Sequence, residues 1–420
     1  MTIHGQRKVQ NLQSGMFALP LTDLAVFSTG ATTHVDVLFV DDHPDELQGL
    51  LAALAKGQPE WVIRVAASGR EALALLQQRA ADVVVSDFRM PGMDGGSLLD
   101  RVRHQYPSAV RLILSAEGGA RGFMRATAAA HQVLGKPCDV EELRRVIEET
   151  AALQNRLQSP ALVDAVHRLG PLPSLPQISQ KLDERLRDDY ATVQEVASLV
   201  ASDPAIVARV LQIANSSYFR RGADVLDMQT AISRLGFELI RSLVMTHELY
   251  ALLPADPAMH AEVQRDNDTA VQICEIACFI AGKLADQREL LTVSVLCNVG
   301  KLLRRMLAAS IPVGISDALL GAYLLSLWGL PFRLVQAVAY VDQPGALAAA
   351  RIAADPWPSA VLIHLATCLS FRLKKAPIAL PPWDNEPALD RGLLAQIDAL
   401  QLQAWEDGLR HRAEDRDGDA

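Results

Sequence analysis

Short apolar runs alternate with stretches of helical spacing in the first third of the chain. Five such runs occur, at residues 35–40, 62–66, 82–86, 111–114 and 132–134. Four stretches with helical spacing lie between them, and a fifth follows the last run. Runs this apolar suit strands that are buried on both faces of a parallel sheet. The alternation predicts an α/β domain with a doubly wound, five-stranded parallel sheet over residues 34–155.

The fifth helical stretch, residues 139–158, ends this pattern. Asp139 stands at its predicted N-cap, with Glu142 at the third helical position. Its weak apolar stripe recurs about every seven residues. The stripe consists of Val140, Leu143, Ile147, Thr150 and Leu157. Packing against the sheet is the favoured interpretation, and pairing with a second copy of the chain, as a homodimer, is the alternative.

The rest of the chain has helical spacing and no alternating strand pattern. We predict an all-α domain over residues 171–400, separated from the first domain by a linker at 156–170 that contains Ser159-Pro160. Residues 1–33 have no clear period and are predicted to be a flexible leader. Residues 401–420 are rich in charge and are predicted to be a frayed acidic tail.

Length, charge and cysteine usage narrow the class of protein. A chain of 420 residues has room for two or three domains, and its net charge of −9 disfavours binding to nucleic acid or anionic membranes. The five cysteines are scattered, and Cys274 and Cys278 are best explained as two core residues. No apolar run is long enough to cross a membrane. We therefore expect a cytoplasmic protein without membrane insertion.

Polar side chains follow four of the predicted strands. Asp41 and Asp42 follow the first strand, Asp87 the third, Ser115 the fourth and Lys136 the fifth. The carboxyl ends of parallel strands meet at one edge of a sheet, so these groups are expected to lie together. Three carboxylates in one place favour a bound hard cation such as Mg²⁺. With the charge neutralised, Asp87 could act as a nucleophile toward a phosphoryl group.

The order of these groups resembles a known family. The acidic pair, the segment D-x-x-M-P-x-M-D-G that begins at Asp87, the serine and the Lys-Pro pair are those of the receiver domain of bacterial two-component response regulators. The resemblance covers residues 35–155 and implies that a sensor histidine kinase phosphorylates Asp87. It implies that Ser115 and Lys136 contact the phosphoryl group. Val133 stands where receivers often have an aromatic residue, which puts coupling through a rotating aromatic in doubt.

The same resemblance implies a metal site. Asp41, Asp42 and Asp87 would bind Mg²⁺, and the backbone carbonyl of Arg89 would be a further ligand. All four positions lie at the predicted edge of the sheet.

Three segments of the helical half carry a second resemblance. They are L-P-S-L-P at 172–176, the stretch 198–217 that contains Asp203-Pro204 and ends in A-N-S-S, and T-A-I-S-R-L-G at 230–236. In this order they resemble the HDOD domain, an all-helical module related to HD-type metal phosphohydrolases, over residues 160–370. The resemblance implies a protein-interaction domain that needs no cofactor and acts on an unidentified downstream signalling protein.

The residues also bear on two other functions, an HD-type enzyme and a DNA-binding protein. Cys297-Asn298 stands where the catalytic HD enzymes have His-Asp, so we expect no enzyme beyond the receiver chemistry. A degenerate HD-type phosphohydrolase or cyclic-dinucleotide phosphodiesterase regulator is the alternative. The pair of helical patterns at 192–212 could form a helix-turn-helix. In the second helix, however, only Arg209 and Gln212 have side chains that could contact the bases of DNA. No nucleic-acid partner is expected.

Overall fold

A computed structural model gives the architecture of the chain. It describes residues 34–57, 60–115, 129–157, 159–188, 190–216, 219, 222–245, 250–282, 286–346, 358–375, 382–383, 386, 389–390, 397 and 399–418. The predicted leader, residues 1–33, lies outside the described residues, as does the helical stretch expected after the fourth strand.

The first domain is built on a five-stranded parallel sheet in the order β2-β1-β3-β4-β5. The strands are β1 Asp36–Val40, β2 Val62–Ala66, β3 Val83–Asp87, β4 Val110–Ser115 and β5 Gln132–Gly135. All pairings are parallel. The sequence prediction of a doubly wound α/β sheet is confirmed. Strand β5 forms one edge of the sheet, a position that leaves one side of its backbone free for other elements.

Helices cover both faces of this sheet. They are α1 Gln48–Gly57, α2 Gly69–Gln78, α3 Gly95–Gln105 and α4 Val140–Leu157. Asp139 accepts hydrogen bonds from the backbone N–H groups of Glu141 and Glu142, as its predicted N-cap role requires. In the stripe of α4, Leu143, Ile147, Thr150 and Leu157 are buried.

The region interpreted as a linker contains a buried helix, α5 Pro160–His167. Ser159 caps it by accepting a hydrogen bond from the N–H of Leu162, and Pro160 occupies its first turn. Leu162, Val166 and His167 have almost no exposed surface. The segment is therefore packed against its neighbours where the sequence suggested a loose connection, because its apolar side chains find partners in both halves of the chain.

The second half is helical, with one short parallel pair, β6 Pro173–Ser174 and β7 Ala251–Leu252. The helices are α6 Pro176–Leu186, α7 Val193–Val200, α8 Pro204–Asn215, α9 Met228–Leu235, α10 Phe237–Met245, α11 Pro257–Ala281, α12 Gln287–Leu296, α13 Asn298–Leu307, α14 Asp317–Leu327, α15 Phe332–Ala339, α16 Ser359–Lys375 and α17 Ala399–Gly418. Helix α14 packs against α4, so the hydrophobic core runs from the sheet into the helical half.

The end of the chain differs from the expectation of a frayed tail. Residues 399–418 form helix α17, in which Leu402 and Glu406 are buried. Glu406 pairs with the equally buried Arg372 of α16. The charged residues of this segment suggested solvent exposure, but the buried ion pair of Glu406 with Arg372 attaches α17 to α16. None of the helices in the described part of the chain combines the length and apolarity needed to span a bilayer.

Candidate phosphorylation site

The carboxyl-terminal edge of the sheet brings together the side chains that the sequence singled out. Asp41 follows β1, Asp87 is the last residue of β3 and Ser115 the last of β4. Lys136 follows β5, and its backbone N–H donates to the carbonyl oxygen of Ser115. The strand ends therefore place four of the predicted residues side by side.

Lys136 bridges two carboxylates at the centre of this edge. Its Nζ lies 2.6 Å from Oδ2 of Asp41 and 2.5 Å from Oδ1 of Asp87. Asp41 is buried, while Asp87 and Lys136 are partly exposed. Burial alone lowers the pKa of Lys136, but the hydrogen bonds to Asp41 and Asp87 outweigh it and the net pKa is raised. Lys136 is thus a fixed cation within reach of any group attached to Asp87.

The second oxygen of Asp87 is held by the chain that follows it. The backbone N–H of Arg89 donates to Oδ2 of Asp87 at 2.7 Å. Gly95, the first residue of α3, lies so close that a Cβ atom there would be 2.2 Å from the carbonyl oxygen of Asp87. The side chain of Asp94 caps α3 by accepting from the N–H of Ser97. The turn after β3 is therefore tight, and it holds Asp87 in place at the end of the strand.

The acidic pair forms a group with its neighbour. Oxygen atoms of Asp41 and Asp42 and a ring nitrogen of His43 lie within 4.8 Å of one another. The backbone N–H of His43 donates to Oδ1 of Asp41, and its Nδ1 lies 3.4 Å from Oδ2 of Asp42. His43 is not among the residues predicted from the sequence, and only its adjacency to the acidic pair could have indicated it.

The donor set suits a hard divalent cation. Carboxylate oxygens of Asp41 and Asp42 are the ligands that Mg²⁺ prefers, whereas the imidazole of His43 suits softer metals. Arg89 is exposed beside the same edge. Asp87 and Asp41 both contact the Lys136 ammonium. The residues present therefore fit Mg²⁺ near Asp87, with the lysine poised to neutralise added negative charge.

The position that catalytic HD enzymes use for their His-Asp pair has a different chemistry here. Cys297 lies at the junction of α12 and α13, and burial raises the pKa of its thiol to about 12. Asn298 donates from its amide to the carbonyl oxygen of Asp266. Among the residues that the structure describes, the group of Asp41, Asp42 and His43 is the sole cluster of three or more potential metal ligands.

Helix α8 and the pair Cys274 and Cys278 have structural roles. All twelve residues of α8 are buried, including Arg209 and Gln212, so this helix cannot enter a DNA groove in this arrangement. The Sγ atoms of Cys274 and Cys278 lie 3.9 Å apart on α11, and Cys274 is buried.

Two family models match the chain. The model of the response regulator receiver domain matches residues 37–148, and the model of the HDOD domain matches residues 172–312. The chain is a receiver–HDOD response regulator. A receiver domain implies a histidine kinase or another phosphodonor as the source of its phosphoryl group.

Curated relatives of the response regulator carry different names. It is 33% identical over 132 residues to the transcriptional activator protein ExaE of Pseudomonas putida, covering 29% of the chain and 59% of the relative. It is 33% identical over 123 residues to a protein-glutamate methylesterase/protein-glutamine glutaminase of Myxococcus xanthus, covering 28% and 34%. It is 29% identical over 227 residues to the transcriptional regulatory protein ZraR of Klebsiella oxytoca, covering 53% and 49%. The chain thus spans at most 59% of the length of these relatives.

A solved structure is also similar to the receiver half. It is the signal receiver domain of an HD domain-containing protein from Pseudomonas fluorescens, 30% identical, with a TM-score of 0.27. The match covers 30% of the response regulator and 100% of that chain.

Proposed function

We propose that the chain is a phosphorylation switch in which a sensor histidine kinase phosphorylates Asp87 and the HDOD domain transmits the signal by binding a protein. The observation that carries this proposal is the Asp41–Lys136–Asp87 arrangement, with the lysine ammonium within 2.6 Å of both carboxylates. Few purely structural roles require a partly exposed lysine between two carboxylates at the edge of a parallel sheet.

The chemistry follows from the positions of these groups. A carboxylate oxygen of Asp87 forms a bond to phosphorus while the bond from phosphorus to the kinase histidine nitrogen breaks. Lys136 then contacts the phosphoryl oxygens, because it already lies 2.5 Å from an oxygen of Asp87. Ser115, at the end of the adjacent strand, donates its hydroxyl to the same group. Mg²⁺ bound by Asp41, Asp42, Asp87 and the Arg89 carbonyl would stabilise negative charge on the phosphoryl oxygens.

Phosphorylation of the full chain tests this proposal. The chain is incubated with acetyl phosphate and Mg²⁺, and the mass gained is measured on the intact protein. We expect wild type to gain one phosphoryl group and Asp87→Asn to gain none. Asp100→Asn is the matched control, because Asp100 lies on α3 of the same domain, half-exposed and paired with Arg103. The proposal is wrong if wild type gains nothing, or if Asp87→Asn is modified as fast as wild type.

The HDOD domain is proposed to bind and not to catalyse. Cys297 and Asn298 occupy the place of the catalytic His-Asp pair, and neither a thiol of raised pKa nor an amide is a good ligand for a water-activating metal. Release of inorganic phosphate or of linear dinucleotide by the purified chain with Mg²⁺ or Mn²⁺ would favour the degenerate phosphohydrolase or phosphodiesterase instead.

We also propose where the protein acts and what kind of molecule it binds. A cytoplasmic location agrees with phosphoryl transfer from a kinase and with five cysteines that are all free thiols. The downstream partner is proposed to be a protein, since the net charge of −9 disfavours nucleic acid. The domain limits at 34–155 and 171–400 are kept as proposed limits, with α5 packed between them.

A further inference from the structure

Two thiols meet on one side of α11, within the segment that matches the HDOD domain. Cys274 and Cys278 are four residues apart, and their Sγ atoms are separated by 3.9 Å. Cys274 is buried, and its Sγ also lies 3.9 Å from the carbonyl oxygen of Gln287, the first residue of α12. Cys278 is partly exposed. The pair is therefore anchored in the core at one thiol and reachable from solvent at the other.

The other three cysteines are in different surroundings. Burial raises the pKa of the thiols of Cys138, Cys297 and Cys368 to about 12. The thiolate is the form of cysteine that binds metals, so these three thiols are poor ligands. The pair on α11 is different because a single ion could be shared by both of its sulfur atoms.

The helical spacing of the pair favours a bridging ion over a disulfide. Side chains four residues apart on a helix have Cβ atoms about 5–6 Å from each other. A disulfide needs Cβ atoms about 3.5–4.5 Å apart, so a direct bond between these sulfur atoms would distort α11. A metal ion between them adds two bonds of about 2.3 Å each, which span the gap without moving the helix.

The distance between the sulfur atoms also fits the geometry of such an ion. Two bonds of about 2.3 Å to sulfur atoms 3.9 Å apart enclose an angle of about 115°. This angle is close to the tetrahedral one that Zn²⁺ prefers. The H-E-x-x-H motif places two zinc ligands at the same spacing, four residues apart on one helix. The pair thus provides two corners of a tetrahedral site.

A further ligand is available from the same helix. Glu275 is exposed and lies three residues before Cys278, so the two side chains are neighbours on the surface of α11. A carboxylate oxygen is a common zinc ligand beside cysteine and histidine. A change of rotamer at this exposed position would bring the carboxylate of Glu275 to an ion on the sulfur atoms, and water would complete the coordination.

The chemistry of this site differs from that of the receiver edge. Thiolates are soft ligands that select ions such as Zn²⁺, whereas carboxylate oxygens suit Mg²⁺. Asp41 and Asp42 provide oxygen ligands, and Cys274 and Cys278 provide sulfur ligands. The two sites should therefore prefer different ions.

We propose that Cys274 and Cys278 form a binding site for a thiophilic divalent cation such as Zn²⁺, with Glu275 as a third ligand. This role is additional to the packing of the two side chains in the metal-free chain. Each thiol that binds the ion releases its proton to solvent. The bound ion links two successive turns of α11. The site is independent of the phosphorylation of Asp87.

A titration of the full chain with Cd²⁺ tests this site. Cd²⁺ is the probe because its bonds to thiolates give an ultraviolet charge-transfer absorbance that oxygen and nitrogen ligands do not give. The chain is kept reduced with a reductant that contains no thiol, and saturating Mg²⁺ occupies the receiver edge. We expect one Cd²⁺ per chain, displaced by Zn²⁺ and unaffected by a further excess of Mg²⁺.

Substitutions on α11 assign the absorbance to the pair. Cys274→Ser and Cys278→Ser are each expected to weaken Cd²⁺ binding at least about tenfold, because each removes one of two thiolate ligands. Glu275→Gln should weaken binding less and keep the same absorbance, because both thiolates remain. Cys138→Ser is the matched control: Cys138 is also partly exposed but lies in the receiver, so this variant should titrate like wild type.

Alkylation of the wild-type chain with iodoacetamide gives a second measurement that needs no variant. Cd²⁺ is expected to slow the labelling of Cys278 at least about tenfold, because the bound thiolate is no longer a free nucleophile. Labelling of Cys138 should not change. Mass spectrometry of the peptides reports both cysteines in one sample.

The outcomes decide for or against the site. A wild-type chain without the charge-transfer absorbance contradicts it, as does an absorbance that both cysteine variants on α11 retain. One Cd²⁺ per two chains would also contradict it, because the ion would then link two molecules. If neither variant folds, labelling of Cys278 that is equally fast with and without Cd²⁺ overturns the proposal. Asp87→Asn should titrate like wild type, so failure of the proposed phosphorylation leaves this test unaffected.

Discussion

Gly95 fixes the distance between the phosphorylated residue and the helix that follows it. Any side chain at this position would meet the carbonyl oxygen of Asp87 at 2.2 Å and Oγ of Ser86 at 2.9 Å. Backbone atoms cannot move aside as the end of a flexible side chain can. Asp87 therefore keeps its position only because residue 95 has no side chain.

Gly95→Ala is expected to destabilise the receiver by about 1–3 kcal/mol and to slow phosphorylation of Asp87, because the turn must shift to admit the methyl group. Thermal unfolding and the rate of mass gain with acetyl phosphate measure the two effects. Gly96→Ala is the control, since its nearest contacts would be 3.7 Å away. Equal behaviour of the two variants would show that the close approach at Gly95 has no consequence.

At the scale of residues, most of the side chains at the candidate site could be predicted from the sequence. Asp41, Asp42, Asp87, Ser115 and Lys136 each follow or end a buried strand, and parallel strands bring such ends to one edge. Their chemical roles stay predictions. The contact of Gln132 with the end of α14 could not have been foreseen, because a glutamine that caps a helix almost two hundred residues away leaves no local pattern.

At the scale of elements, the buried helix α8 depends on its first turn. Asp203 accepts hydrogen bonds from the N–H groups of Ala205 and Ile206 and from the hydroxyl of Ser174. It is almost fully buried, and burial raises the pKa of its carboxyl despite these hydrogen bonds. Asp256 begins α11 with the same kind of cap and the same following proline, but at an exposed position. The chain thus contains a buried and an exposed version of one motif.

Asp203→Ala is expected to cost about 2–4 kcal/mol of unfolding free energy, from the lost cap and the unpaired Ser174 hydroxyl. Asp203→Asn should cost less, because a neutral amide oxygen can still accept and burial disfavours the charge. Asp256→Ala should cost only about 1 kcal/mol. Urea unfolding measures all three. A loss at Asp203 no larger than that at Asp256 would contradict the role assigned to burial.

The strands and the capped helices were predictable because their signals are local. Buried strands appear as apolar runs, and Asp203-Pro204 marks a helix start in the sequence itself. Helix α5 was not predicted, because its eight residues follow Ser159-Pro160 in a stretch that also contains turn-forming residues. Its last residue, His167, contacts Arg111 and Tyr323, which are distant in sequence and meet it only in the folded chain.

At the scale of the whole molecule, the last helix is attached by a buried ionic network. Arg372 of α16 contacts Glu406 of α17 and Glu386, and its guanidinium lies 4.3 Å from the centroid of the Trp383 ring. All three charged side chains have at most 5% of their surface exposed. The sequence suggested a frayed tail because charge usually means exposure, and the pairing partner lies more than thirty residues upstream.

Arg372→Ala is expected to lower the unfolding free energy by about 3–5 kcal/mol, because it removes the buried cation that the carboxylates of Glu386 and Glu406 share. Limited proteolysis should then cleave within α17 before other sites. Arg410→Ala is the matched control: Arg410 pairs with the same Glu406 but is partly exposed, so it should cost less than about 1 kcal/mol. Resistance of the Arg372 variant to cleavage would show that α17 is held by other contacts.

Two side chains of the receiver cap helices that follow it: Gln132 donates to the carbonyl oxygens of Ser326 and Leu327 at the end of α14, and Arg111 donates to that of His167 at the end of α5. These caps affect how a partner of this protein should be sought. A fragment that begins at residue 171 retains α14 but loses the glutamine that completes it, together with α5 and the arginine at its end. Used as bait, this fragment would expose helix carbonyl groups and apolar surface that the receiver covers in the intact chain. Proteins captured with it would include many that never meet this surface in the cell. Full-length bait, compared with and without a phosphoryl group on Asp87, exposes only the surfaces that the intact protein exposes.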